Sequence, residues 1–160
     1  ACRVLVLPQR QSAGAPEYEM ALGAARDFVR RGGGLLVTHD AVGARQHPAP
    51  FGDVCAGVGA VKLTEARVAV DHPITAGLQV GQAVPHSYYD HIALKPGGGA
   101  TVILDDTEGN PVLAAGKVGE GRFVANGMCT GLGLGDAETP PTGSELTVLI
   151  NAVRWLGGVE

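Results

Sequence analysis

An apolar run, an amphipathic stretch, a glycine stop and a second apolar run follow one another within residues 3–38, and this order limits the fold more than any other feature. Arg3-Val4-Leu5-Val6-Leu7-Pro8 is apolar without helical spacing and ends at proline, as expected of a strand buried on both faces. Residues 9–15 are expected to form a polar turn. Pro16 suits a first helical position, where a missing N–H costs nothing, and Glu17 and Glu19 suit the positive end of the helix dipole. Met20, Ala21, Ala24, Phe28 and Val29 recur at helical spacing, Arg30 and Arg31 fill the last turn, and Gly32-Gly33-Gly34 ends it. Leu35-Leu36-Val37-Thr38 follows as a second buried strand. Strand, helix and strand in so short a span predict a βαβ unit with two parallel strands and a right-handed crossover.

The rest of the chain continues the alternation. Residues 39–60 are expected to be loop and short helix, broken by Pro48 and Pro50. Val61–Val70 alternates weakly and predicts a strand, closed by Asp71-His72-Pro73 as a turn in which Asp caps and Pro stops. A polar loop then carries His86, Tyr88, Tyr89, Asp90 and His91. Thr101–Leu104 predicts another buried strand. Pro111–Gly116 and Arg122–Asn126 flank Lys117-Val118-Gly119-Glu120-Gly121, the pattern of a hairpin. Residues 127–143 are too rich in glycine and proline for a helix. Ser144 is expected to cap a closing amphipathic helix that runs to Leu156 and stops at Gly157-Gly158. Without repeat, linker or low-complexity tract, residues 1–160 predict a single α/β domain.

Composition narrows the function classes. At 160 residues and 45% hydrophobic content, the chain can bury a real core and is not a disordered segment. No apolar run approaches the ~20 residues of a membrane span. Twelve Lys and Arg without a basic stripe, and a formal charge of −4, give no footprint for nucleic acid. Cys2, Cys55 and Cys129 contain no CxxC and are odd in number, so they are expected as reduced, mostly buried thiols, which points to the cytoplasm. The chain opens at Ala1 almost directly into a strand, so the expectation is a removed N-terminal segment or a part of a longer protein.

Several stretches together resemble a known family. "FVRRGGGLLVTHD", "DHPITAGL", "YDHIALKPGGGATVIL", "PVLAAGKVGEGRFVANG" and "LINAVRWL", in this order, resemble the class I glutamine amidotransferase-like superfamily, especially its ThuA-like (trehalose-utilisation) branch. The resemblance implies a flavodoxin-like, open, mostly parallel sheet with flanking helices, to which this chain adds a C-terminal β-hairpin. Such sheets begin with two earlier βα units, and this chain starts at what corresponds to the third strand. A bare parallel strand 3–8 would leave backbone groups and apolar side chains to water, so an N-terminal segment or another protein chain is expected to cover it, or an oligomer to form. The resemblance also implies a nucleophilic Cys on a strained turn, in a G-x-C-x-G pattern, where a helix N-terminus and backbone N–H groups activate it. Here the corresponding turn is "LLVTHDAVG", with Gly43 in place but Asp40 or Ala41 where the thiol belongs. The family's late His–Glu pair is missing too, since no His follows His91.

Other residues could carry chemistry. Gly127-Met128-Cys129-Thr130-Gly131 is a literal G-x-C-x-G, but Leu132-Gly133-Leu134-Gly135 behind it is poor helix, so the simpler account is a loop leaving the last strand. Three His–Asp neighbours occur: His39-Asp40, Asp71-His72 and Asp90-His91, with His86 nearby. His39-Asp40 ends a predicted parallel strand, where open α/β sheets bind ligands. These groups could bind a divalent ion or act as acid and base, yet none has the i, i+4 spacing of a metal motif. Neither Gly32-Gly33-Gly34 nor Gly97-Gly98-Gly99 is a phosphate loop, because each precedes a strand. No metal and no cofactor are expected. Tyr88-Tyr89 could stack on a sugar ring, or one could pack while the other stays exposed.

Together these features predict a catalytically degenerate amidotransferase-like domain with a carbohydrate-related ligand-binding or assembly role. Its ligand set would be His39, Asp40, His86, Tyr88, Asp90 and His91, taking a small polar or sugar ligand. The alternative is a hydrolase acting on a carbohydrate or amide through His39 and Asp40, with His86 and His91, or through Cys129.

Overall fold

The computed structural model describes residues 2–8 and 16–159. The expected polar turn at 9–15 lies outside these residues. Strand β1 (Val4–Leu7) and helix α1 (Pro16–Arg30) lead into β2 (Gly34–Thr38), as the βαβ pattern predicts. A 3₁₀ turn at His39–Val42 follows, then β3 (Cys55–Val61), β4 (Glu65–Val68), β5 (Ala83–Pro85), β6 (His91–Pro96), β7 (Ala100–Asp106), β8 (Pro111–Val118) and β9 (Gly121–Asn126). Helix α2 (Gly143–Leu156) closes the chain. No helix among the described residues is long and apolar enough to cross a membrane.

Seven strands form one sheet in the order β1-β2-β9-β8-β7-β4-β5, and β3 pairs with β6 separately. β1, β2 and β9 are parallel, with Val6 opposite Leu36 and Val37 opposite Ala125. Every other pairing is antiparallel. The expectation of a mostly parallel sheet is therefore corrected to a mixed one. The physical reason lies in the connections: only β1 to β2 has a helix to carry a crossover, whereas β7, β8 and β9 are joined by turns of a few residues. The predicted hairpin is β8–β9, and it lies within the sheet rather than beyond it.

Alternation along each central strand divides the core. Leu35, Val37, Phe123 and Ala125 face Ala25 and Val29 of α1, together with Cys55, Ile92 and Leu94 of the β3–β6 pair. Leu36, Val124 and Ala115 face Val148, Ala152 and Leu156 of α2, with Ile74, Ile103 and Leu104. Phe123, fully buried and edge-on to Phe51 at 5.2 Å, is the largest of these side chains; trimming it to Ala should cost about 3–5 kcal/mol.

Four further expectations need correction. β1 is an edge strand, half-buried rather than covered on both faces, and Val6 is 49% exposed. The single strand expected at 61–70 is the end of β3 plus β4, and the expected loops at 39–60 and 86–91 conceal the starts of β3 and β6. These strands are short and interrupted by glycine or bounded by proline, which masks their alternation. At 71–73 the cap is His72, whose Nδ1 accepts from the Ile74 N–H, while Thr75 Oγ1 accepts from the His72 N–H. Finally, Thr142 occupies the N-cap of α2, and Ser144 Oγ instead donates to the Ala83 carbonyl, tying α2 to β5.

Candidate functional site

The C-terminal ends of β2 and β9 meet at one rim, and the chain bends sharply there. β2 runs directly into the 3₁₀ turn, and His39 takes up the bend at φ +48°, with Gly43 closing it at φ +102°. A side chain at positive φ costs about 1–2 kcal/mol, so its surroundings must hold it. Among the described residues the non-glycine positions in this region of φ are His39, Arg45, Gln46 and Asp136. His39, Arg45 and Asp136 belong to one side-chain cluster, and Gln46 adjoins it. Backbone strain of this kind collects at functional sites. The strained position is His39, one or two residues before the Asp40 or Ala41 expected there.

Asp90 joins the cluster from the loop before β6. His39 Nε2 lies 3.0 Å from Asp90 Oδ1 and must donate, since a carboxylate only accepts. Arg45 Nη2 donates to Asp90 Oδ2 at 2.9 Å. Arg45 Nε and His39 Nδ1 approach Asp40 Oδ1 to 3.4 and 3.6 Å, ion-pair distances without a well-formed hydrogen bond. Burial alone would lower the Arg45 pKa, but Asp40 and Asp90 outweigh it and leave it raised. The His39 ring stands edge-on to Tyr88 at 5.5 Å, and Tyr88 lies against Tyr89 at 4.3 Å. Tyr88 is buried and Tyr89 is 42% exposed. Tyr88 Oη donates to Asp136 Oδ1 at 3.1 Å; the bond to Tyr89, burial and Asp136 all raise its pKa.

Behind this rim sit His86 and His91. His91 is fully buried, with Nδ1 3.1 Å from the Leu63 carbonyl and Nε2 3.1 Å from Asp106 Oδ2. Burial would raise the Asp106 pKa, but bonds from Asn110, Glu108 and His91 hold it below the usual carboxylate range. His86 packs edge-on to His91 at 5.7 Å, and neither of its ring nitrogens has a well-formed hydrogen bond. Burial, followed by the neighbouring His91, lowers its pKa to about 4.

Cys129 leaves β9 over a close approach: a Cβ at Gly127 would run into the Ile92 carbonyl oxygen. Asn126 Oδ1 accepts from the Met128 N–H and fixes this turn. The thiol is buried, and burial together with Asp90, Asp136, Asp40 and Glu145 pushes it up to about 12. A thiol held protonated is a poor nucleophile. The segment behind it is loop with a short 3₁₀ turn at Leu134–Asp136, so no helix dipole acts on it.

The structure thus gathers His39, Asp40, Tyr88 and Asp90 at the rim, with His86 and His91 behind. The sequence neighbours Asp90 and His91 do not pair with each other: His39 pairs with Asp90, and His91 with Asp106. Asp71-His72 lies elsewhere, with His72 edge-on to Trp155 at 5.3 Å. Sequence reasoning missed Arg45 and Asp136. Arg45 was detectable as the lone Lys or Arg between Arg31 and Lys62; Asp136, in a glycine-rich loop, carried no comparable signal. No group of three or more His, Cys, Asp or Glu side chains among the described residues is arranged to hold a metal ion.

No protein-family model and no curated protein matches the sequence. Solved structures do share the fold. A β-galactosidase from Bacillus circulans sp. alkalophilus matches 99% of this chain at TM-score 0.64 and 18% identity, and the chain spans 23% of that protein's length. A ThuA-like protein from Bacteroides uniformis matches 96% of this chain and 69% of its own at TM-score 0.65 and 18% identity. A cytoplasmic protein from Salmonella typhimurium matches 96% of this chain and 71% of its own at TM-score 0.65 and 14% identity. At such identities the likeness is one of architecture, and this chain has a ThuA-like fold.

Proposed function

We propose that this chain is a catalytically degenerate, amidotransferase-like domain with a binding or assembly role in a larger carbohydrate-related protein or complex. The observation that carries this is the bend after β2. The bend carries His39, fixed by Asp90 and Tyr88, with Asp40 and Ala41 where the resemblance would place a nucleophile, and the thiol of the neighbouring loop, Cys129, is buried and held protonated. The match of nearly the whole chain to less than a quarter of a β-galactosidase supports a module within a carbohydrate-related protein.

In this reading His39, Asp40, Tyr88 and Asp90 form the ligand rim, and His86 and His91 support it from behind. The partner surface is the open edge of β1. Among the described residues its one pairing is with β2, in parallel, so the other edge is left to a strand from the same polypeptide or another chain.

Incubation with glutamine and with aryl glycosides tests the absence of catalysis. The purified chain is expected to turn over neither. Turnover that is lost in both His39→Ala and Asp40→Ala would make the rim a hydrolytic centre, and turnover lost only in Cys129→Ser would assign it to the thiol.

A further inference from the structure

We infer that the outer part of the rim binds a neutral pyranoside, its ring lying on the exposed face of Tyr89 and its hydroxyls shared between Arg45 and Asp136. This rests on the binding role proposed above and adds the chemical class of the ligand.

Three observations lead there. Tyr89 is 42% exposed yet braced from below: its ring lies on Tyr88, and Tyr88 stands on His39. A supported aromatic face of this kind suits the C–H face of a sugar ring, since it is apolar and already ordered. The flanking groups are also only partly used. Arg45, 45% exposed, spends Nε and Nη2 on Asp40 and Asp90, which leaves Nη1 to donate to a ligand oxygen. Asp136 accepts from Tyr88 Oη through Oδ1, and Oδ2 is left to accept from a hydroxyl. Both Arg45 and Asp136 are held at positive φ, so the chain is strained just where these groups are presented.

Charge selects among polar ligands. Asp40, Asp90 and Asp136 outnumber Arg45, so a phosphate or a uronic acid would meet a net negative rim. A cationic ligand would have to compete with Arg45, His39 and Tyr88 for carboxylates they already engage. An uncharged polyol avoids both and can use donor and acceptor together.

Titration of the protein with methyl β-D-galactopyranoside, methyl α-D-glucopyranoside, glucuronate and galactosamine, followed by tyrosine fluorescence or NMR, tests the inference. At least one neutral glycoside is expected to bind saturably with a Kd of about 1 mM. Tyr89→Ala and Asp136→Asn should each weaken it about tenfold or more, while Tyr89→Phe should retain it. Tyr89 is exposed, so its variants should melt like the parent, and the melting curve checks this. The inference is overturned if no neutral glycoside saturates, if Tyr89→Ala binds as the parent does, or if glucuronate or galactosamine binds more tightly than either glycoside. None of these outcomes bears on turnover, so the non-hydrolytic reading stands or falls separately.

Discussion

His39 Nε2 and Asp90 Oδ1 lie 3.0 Å apart although their residues are 51 positions apart in the chain. Asp90 is the hub of the rim, because its second oxygen accepts from Arg45 and almost none of it is exposed. Asp90→Ala would leave a buried imidazole and a guanidinium without their acceptor, at a cost of about 2–4 kcal/mol. Asp40 has longer contacts to the same groups, so Asp40→Ala should cost about 1 kcal/mol or less. Urea unfolding of the two variants measures both values, and equal costs would remove Asp90 from its central place.

The thiols should separate by burial. Cys2 is exposed, whereas burial pushes Cys55 up to about 11, and burial together with nearby carboxylates pushes Cys129 up to about 12. Iodoacetamide at neutral pH should therefore modify Cys2 alone in the native protein, and all three in denaturant. Mass spectrometry after digestion reads the result. Rapid native labelling of Cys129 would revive the nucleophile in the G-x-C-x-G loop.

What could be read in the sequence follows from how local each signal is. The β1–α1–β2 unit, the β8–β9 hairpin and α2 announce themselves through periodicity and glycine stops within a few residues, and their bounds agree with the structure to within one or two positions. β3, β5 and β6 depend on partners far along the chain, and proline or glycine interrupts their pattern, so they were hidden. The rim was half legible. His39-Asp40 does follow the C-terminal end of a buried strand, as expected, but the pairings of His39 with Asp90 and His91 with Asp106 are set by tertiary packing. Adjacent His and Asp in sequence suggested partners that the fold does not make.

Two buried titratable groups should oppose each other in the pH dependence of stability. His86 has its pKa lowered to about 4. The unfolded chain, with His near 6.5, therefore binds the extra proton first, and stability should fall as pH drops from about 6.5 toward 4. Glu145, in the first turn of α2, is pushed up to about 7 by burial. Its folded form holds a proton that the unfolded chain has released, so stability should fall as pH rises from about 4.5 through 7. Glu145→Gln should remove that second loss, a gain of at most about 3 kcal/mol at pH 8 and little at pH 4. Thermal melts across this range check the sign, and a Glu145→Gln variant that gains more at pH 4 than at pH 8 would contradict it.

The open edge of β1 should govern association. Val4 packs toward α2, so by the two-residue alternation of a strand the exposed Val6 is on the same side of the sheet. Ile150 and Val153 of α2, on that side, are also partly exposed. Among the described residues β1 is paired on one edge only, which favours pairing on the other, and covering a side chain such as Val6 is worth about 1.5 kcal/mol. The purified chain should therefore run as a dimer or larger in size-exclusion chromatography with light scattering. Val6→Lys combined with Ile150→Asp should shift it to a single chain and remove the concentration dependence of the melting temperature that association gives the parent. A parent protein that stays monomeric at every concentration, with or without these changes, would mean that the edge tolerates solvent and recruits no second copy.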